Sequence, residues 1–185
     1  SGTGISFGTP VAFTTTAVMT YSLANTYDVA SSKAVISYGD AGDSNKGTTI
    51  VGTVSGTTIS FGTAVVFESG EVGQDISSAY DTQAASVVIT YLDDTNTNAE
   101  IVVGTVSGTS ISFNTAVVIN AADTSSTTTV YDSAAKNIVS AYKDKGVSND
   151  GYAIVSTTPY TTLSAAALLG ISDAAISDTA SGNIT

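Results

Sequence analysis

The sequence predicts an all-β protein of tandem four-stranded antiparallel, blade-like repeats of about 52 residues, followed by a short C-terminal extension. Three observations carry that expectation. The stretch VGTVSGTTISFGTAVVF, Val51 to Phe67, returns as VGTVSGTSISFNTAVVI, Val103 to Ile119, changed only at positions 58, 62 and 67 of the first copy. Turn signals built on Gly and Asx residues recur between short runs of strand formers, the pattern of an all-β domain. Thr, Ser, Val, Ala and Gly dominate, and charged residues make up only 11% of the chain. Thr and Val suit pleated strands, and so apolar a chain with so little charge is not a disordered one.

The elements follow in order. Ile5, Ile59 and Ile111 correspond, as do Phe7, Phe61 and Phe113. The tripeptides Thr26-Tyr27-Asp28, Ala79-Tyr80-Asp81 and Val130-Tyr131-Asp132 fix the next anchor. A second tyrosine follows eleven residues later each time, Tyr38, Tyr91 and Tyr142, with an acid two residues beyond it, Asp40, Asp93 and Asp144. Self-similarity at a period of 51 to 54 residues marks propellers and other stacked arrays. The second copy reads as four strands: Ile76–Asp81, Val87–Leu92, Glu100–Val106 and Ile111–Ile119. DTQAAS connects the first two, DDTNTN is a polar loop before the third, and SGT turns the chain into the fourth. SVVITY and EIVVGTV are apolar at consecutive positions, which implies burial on both faces. A propeller blade provides that burial, because each sheet packs between two neighbours.

The array is framed as residues 1–157, in units 1–50, 51–102 and 103–157, with 158–185 as an extension leading toward a further domain. Residues 5–13 read as a lone fourth strand, and the last unit lacks its own fourth strand. Pairing those two closes a ring of three units, fewer than the four to eight of ordinary propellers. A threefold β-prism or β-trefoil, a part of a longer propeller, and sheets shared between copies all fit this count; the propeller-type blade ranks first. The opening SGTGISFGTPVAF matches the repeat from Ser55 onward, so the expectation is a chain cut from a longer one or a deliberately offset circular repeat. The sequence opens on Ser rather than Met, and no signal peptide is expected within it. In the extension, Ser164–Leu169 predicts a short helix capped by Ser164 and stopped by Gly170. Asp173 and Asp178 match no familiar metal loop, and the Asn183-Ile184-Thr185 glycosylation pattern carries no weight.

Composition narrows the chemistry. Sixteen acids against five basic residues give a net charge of −11, which disfavours nucleic acid and anionic membrane surfaces. No apolar run approaches the roughly 18 residues that span a bilayer. Without Cys there is no disulfide and no thiolate. Without His there is no Ser-His-Asp triad and no ordinary zinc site. The five basic residues are all lysines, 33, 46, 136, 143 and 145, so the arginine clamp of a sialidase-type propeller is missing.

Paired carboxylates are the remaining catalytic option. The only glutamates, Glu68, Glu71 and Glu100, occupy no position shared by all copies. The recurrent acids Asp28, Asp81, Asp132, Asp40, Asp93 and Asp144 come once per unit and read as turn formers, with calcium binding by DAGDSN (40–45) or DDTNTN (93–98) the lesser reading. The recurrent tyrosines read as packing residues, while Tyr21, Tyr152 and Tyr160 lie outside the register and suit a special contact. No catalytic, cofactor-binding or metal-ligating residue is assigned, and no cofactor is expected.

The VGTVSGT-ISF-TAVVF…YD…Y-D units over residues 1–155, followed by LLGISDAAISDTASGNIT over about 163–182, resemble the repeat regions of structural, tail-fibre-like virion proteins of marine tailed phages. Similar repeats there lead into a segment reading approximately FIGISD-A-SDG-TA, from which this chain departs with Ser177-Asp178-Thr179. The resemblance implies a virion-surface location, a fibre or appendage role, homo-oligomers (often trimers in fibres), contact with other virion proteins and contact with a host-surface glycan or protein. It supplies no catalytic residue. The expected function is a non-enzymatic structural component of a viral fibre or surface appendage. The alternative is a glycan- or protein-binding module acting through the loops DAGDSNKG (40–47), DDTNTNAE (93–100) and KDKGVSND (143–150) at one end of the array. A hydrolase using the glutamates ranks last.

Overall fold

A computed structural model describes residues 4–158, all of them in strands, turns or irregular segments and none in a helix. Three antiparallel sheets follow one another along the chain. The first contains β1 (Val18–Asp28), β2 (Lys33–Asp40), β3 (Lys46–Ser55), β4 (Thr58–Phe61) and β5 (Val65–Glu71). The second contains β6 (Ser77–Asp81), β7 (Ser86–Asp93), β8 (Asn98–Ser107), β9 (Ser110–Phe113) and β10 (Val117–Asn120). The third contains β11 (Thr124–Asp132), β12 (Asn137–Asp144) and β13 (Asp150–Ser156). The first two share one topology: an up-and-down meander in which the long third strand carries two short strands on its outer edge. The sheets are offset from the frame 1–50, 51–102 and 103–157, because each split fourth strand stays with the three strands before it.

The fourth strand is broken for a countable reason. Along β3 the pairing moves three residues, from Gly52 to Thr49, while its partner moves four, from Phe61 to Val65. The same extra residue separates the Gly104–Phe113 pair from the Ile101–Val117 pair in the second sheet. One inserted residue is a β-bulge, which bends the strand. The sequence reading ran this strand unbroken to Ile119, since bulges leave no mark on apolar content.

Two-residue turns at Gly56-Thr57 and Gly108-Thr109 join the third strand to the fourth. Gly56 and Gly108 hold φ of 59° and 62°, the positive value required at the first central position of this hairpin type.

The sheets stack in sequence order, first on second and second on third, with β1, β6 and β11 lying side by side. Ser22 Oγ donates to Gly73 O at 2.8 Å, and Asp75 N to Tyr21 O at 2.9 Å, across the first junction. Thr127 Oγ1 donates to Asp75 O at 2.5 Å, and Thr129 N to Ser77 Oγ at 3.0 Å, across the second. Val35, Val51, Val72, Ile76, Val87, Ile89 and Tyr91 fill the first junction and form the core. Every residue of β7, SVVITYLD, is buried, as its consecutive apolar residues require of a strand covered on both faces.

Residues 4–17 pair with no strand. The expected completion of the last sheet by residues 5–13 therefore does not occur within the chain, and the three sheets do not close a ring through it. The segment lies instead against the first sheet: Phe13 meets Tyr38 edge-on at 5.1 Å and Phe61 at 6.2 Å between ring centroids. The expected helix at Ser164–Leu169, Asp173, Asp178, Tyr160 and the Asn183 pattern lie outside the described residues.

Candidate functional site

The recurrent aspartates are turn residues. Asp28 Oδ1 accepts from Ser31 N, Asp81 Oδ1 from Gln83 N and Ala84 N, and Asp132 Oδ1 from Ala134 N and Ala135 N. These close the hairpins between the first and second strands of each sheet. Asp40 Oδ1 accepts from Gly42 N, Asp93 Oδ1 from Thr95 N and Asn96 N, and Asp144 Oδ1 from Gly146 N. These close the hairpins at the opposite end. A short carboxylate that reaches the amide two residues on mimics a backbone turn and leaves the strand ends satisfied. The two amides on Asp132 hold its carboxyl below the usual carboxylate range.

The loops DAGDSNKG, DDTNTNAE and KDKGVSND all lie at that second end, where the second strand of each sheet turns into the third. The C-terminal end of β5 lies there as well. Asn45 Nδ2 donates to Glu71 Oε1 at 2.5 Å and Thr95 Oγ1 accepts from Glu71 N at 3.1 Å, so Glu71 bridges the first two loops. Lys46 pairs with Asp43 at 2.9 Å and Lys145 with Asp123 at 2.8 Å. Pairs this exposed contribute about 0–1 kcal/mol.

The most concentrated chemistry sits just beneath this end. The Tyr91 hydroxyl lies 2.8 Å from Glu100 Oε2 and 3.1 Å from Glu68 Oε2. Glu100 faces Tyr91 across the β7–β8 hairpin, and Glu68 arrives from β5 of the first sheet. Asp93 joins them, and the three carboxylates bring one oxygen each within 4.8 Å of one another. Burial, then the charges of Glu100 and Glu68, push the Tyr91 hydroxyl far above its ordinary value. Its ring is fully buried and stands edge-on to Phe67 at 5.1 Å.

Glu68 and Asp93 already have donors besides the tyrosine. Glu68 Oε1 accepts from Gly70 N at 2.6 Å, and Asp93 Oδ2 accepts from Asn96 Nδ2 at 2.6 Å. Calcium takes six to eight oxygens, and here it would compete with the tyrosine and the turn amides for three carboxylates. Four surface clefts among the described residues, of about 200 to 300 Å³, are lined elsewhere, and none of the four includes Glu68, Glu71 or Glu100. The largest of them lies between the sheets at the loop end, lined by Met19, Asp75, Leu92, Asp94 and Lys145 among others.

The same tyrosine position has three surroundings. Tyr38 meets Phe13 edge-on at 5.1 Å, and burial raises its hydroxyl. Tyr91 meets two glutamates, and Tyr142 stacks on Tyr152 at 5.9 Å. Of the tyrosines expected to make a special contact, Tyr152 lies in this stack, while Tyr21 is 75% exposed at a φ of 61°. Sequence reasoning missed the convergence on Tyr91. One signal for it was present: counting back from the DDTNTN turn places Glu100 opposite Tyr91. Glu68 comes from another sheet and had no such signal.

The chain matches no protein-family model and no curated protein.

Proposed function

We propose that this protein is a non-enzymatic structural module of a viral fibre or comparable surface appendage. One observation carries the reading: the six recurrent aspartates and the second recurrent tyrosine of each unit are engaged within the array itself. All six recurrent aspartates accept turn amides. Tyr38 and Tyr142 pack against the rings of Phe13 and Tyr152, and Tyr91 bonds Glu100, all in the same array. A repeated residue committed to holding its own unit builds a rigid scaffold. The sequence resemblance to tail-fibre-like virion proteins supplies the location. The test is an antibody raised against the chain and applied to tailed-phage particles in the electron microscope. Decoration of a fibre or appendage is the expected result; bare particles, with the antigen left in the host lysate, overturn the reading.

The gathering of three variable hairpin loops at one end supports a second reading, host-glycan or protein binding through that end. A glycan array that stays silent with and without calcium removes the glycan form of it.

A further inference from the structure

We propose that residues 4–14 of one copy form the fourth strand of the third sheet of another copy, so that chains join head to tail. The inference stands apart from the appendage reading and rests on the two ends of the array.

The first end is a strand without a sheet. Residues 4–14, GISFGTPVAFT, repeat the fourth strands TISFGTAVVFE (58–68) and SISFNTAVVIN (110–120). They already occupy the place of a fourth strand belonging to a preceding sheet. Phe13 meets Tyr38 at 5.1 Å and 63°, as Phe67 meets Tyr91 at 5.1 Å and 66° one unit later. A Cβ on Gly8 would collide with the Thr57 carbonyl, as one on Gly62 would with that of Thr109. Yet no strand pairs with the segment, and Ile5 and Phe7 stand 80% and 87% exposed. Pro10 replaces Ala64 and Ala116, in the kink where the fourth strand leaves the ladder, so its missing N–H costs no pairing.

The second end is a sheet without its fourth strand. Among the described residues β13 pairs with β12 alone. Aligned on their partners, Val155 corresponds to Val103 and Val51. In the complete sheets those two residues turn their carbonyls outward, accepting from Asn114 N at 3.0 Å and Gly62 N at 2.9 Å. Val155 O is therefore placed to accept from Gly8 N of a second copy, with Phe7 opposite Ser156 and Val11 opposite Ala153. An edge presenting unpaired N–H and C=O groups is a template for another chain.

The faces agree with the edges. On the outer face of the first sheet Leu23 and Tyr27 are 55% and 52% exposed, whereas Ile76, the counterpart of Leu23, is 6% exposed beneath the first sheet. On the outer face of the third sheet Val130 and Val155 are 59% and 62% exposed, whereas Val51, the counterpart of Val155, is fully buried. Each end of the array thus exposes the half-junction that the other end covers inside the chain. A head-to-tail interface closes a ring or propagates. Two copies carry six sheets, within the four to eight of closed propellers, and a closed pair is the expected product.

The test is sedimentation velocity of the full chain from about 10 to about 200 µM, a range that brackets ordinary micromolar affinities. The parent is expected at twice its 18.5 kDa mass or higher multiples. Phe7→Asp, at an exposed position, and Val155→Pro, which removes an outward-facing amide, are each expected to sediment as folded monomers with unchanged circular dichroism. Val155→Lys replaces the proline variant if that one does not fold. Mixing Phe7→Asp with Val155→Pro restores one intact edge and one intact donor strand, so a dimer reappears. A monomeric parent overturns the proposal. So does assembly that ignores Phe7→Asp, or a mixture that stays monomeric.

Discussion

Removing one oxygen atom at Tyr91 tests how the first and second sheets are joined. In Tyr91→Phe the buried ring stays, and Glu100 and Glu68 lose the hydroxyl that lies 2.8 and 3.1 Å from them. One O–H serves one carboxylate at a time, so a single charge-assisted bond is lost. Such bonds are worth about 1.5–3 kcal/mol, and about 2 kcal/mol is expected here from urea unfolding at pH 8 with an unchanged m-value. The pH dependence sharpens the test. Tyr91 is raised in the folded state by burial first and then by Glu100 and Glu68, from an ordinary value of 10.0. Below pH 10 both folded and unfolded chains keep the proton, and the stabilisation is fully present. Above it the unfolded chain releases a proton that the folded chain retains, so stability falls by about 1.4 kcal/mol per pH unit. The phenylalanine variant has no such proton, and the other raised tyrosines, Tyr38 and Tyr80, titrate alike in both proteins. The gap between parent and variant should therefore shrink above pH 10 and vanish about 1.5 units higher. A gap that stays constant across that range, or a variant as stable as the parent at pH 8, refutes the reasoning.

Two further expectations follow from neighbouring features. Gly62→Ala drives a Cβ into the Thr109 carbonyl and should cost about 1–3 kcal/mol in urea unfolding; no loss would mean that the hairpin tip does not reach the first sheet. The Asp132 carboxyl is depressed by the amides of Ala135 and Ala134, so its stabilisation is present above the ordinary value of 3.8 and is lost as pH falls through the depressed one. Asp132→Asn should flatten that part of the acid limb of the urea midpoint, and an unaltered limb contradicts the assignment.

The sequence made the sheets legible wherever chemistry is local. Asp81 and Asp93 announce their hairpins because a carboxylate that caps a turn must sit at its first residue. SVVITYLD announces a strand covered on both faces because nothing polar interrupts its apolar core except a threonine. What stayed hidden depends on distance in the chain. The bulges at Thr63-Ala64 and Thr115-Ala116 are set by counting across a ladder, not by residue type. Glu68 reaches Tyr91 only because one sheet lies on the next. Residues 5–13 repeat the fourth strands in sequence yet pair with no strand, because likeness does not say which sheet receives a segment.

The order of stacking has a consequence for how the molecule comes apart. Each sheet is a local meander that touches only the sheets before and after it. Stability is then close to a sum over links and the couplings between adjacent links. In a single chain the middle link, coupled on both sides and fully buried along β7, should hold its amide hydrogens longest, while the terminal links fray and exchange first.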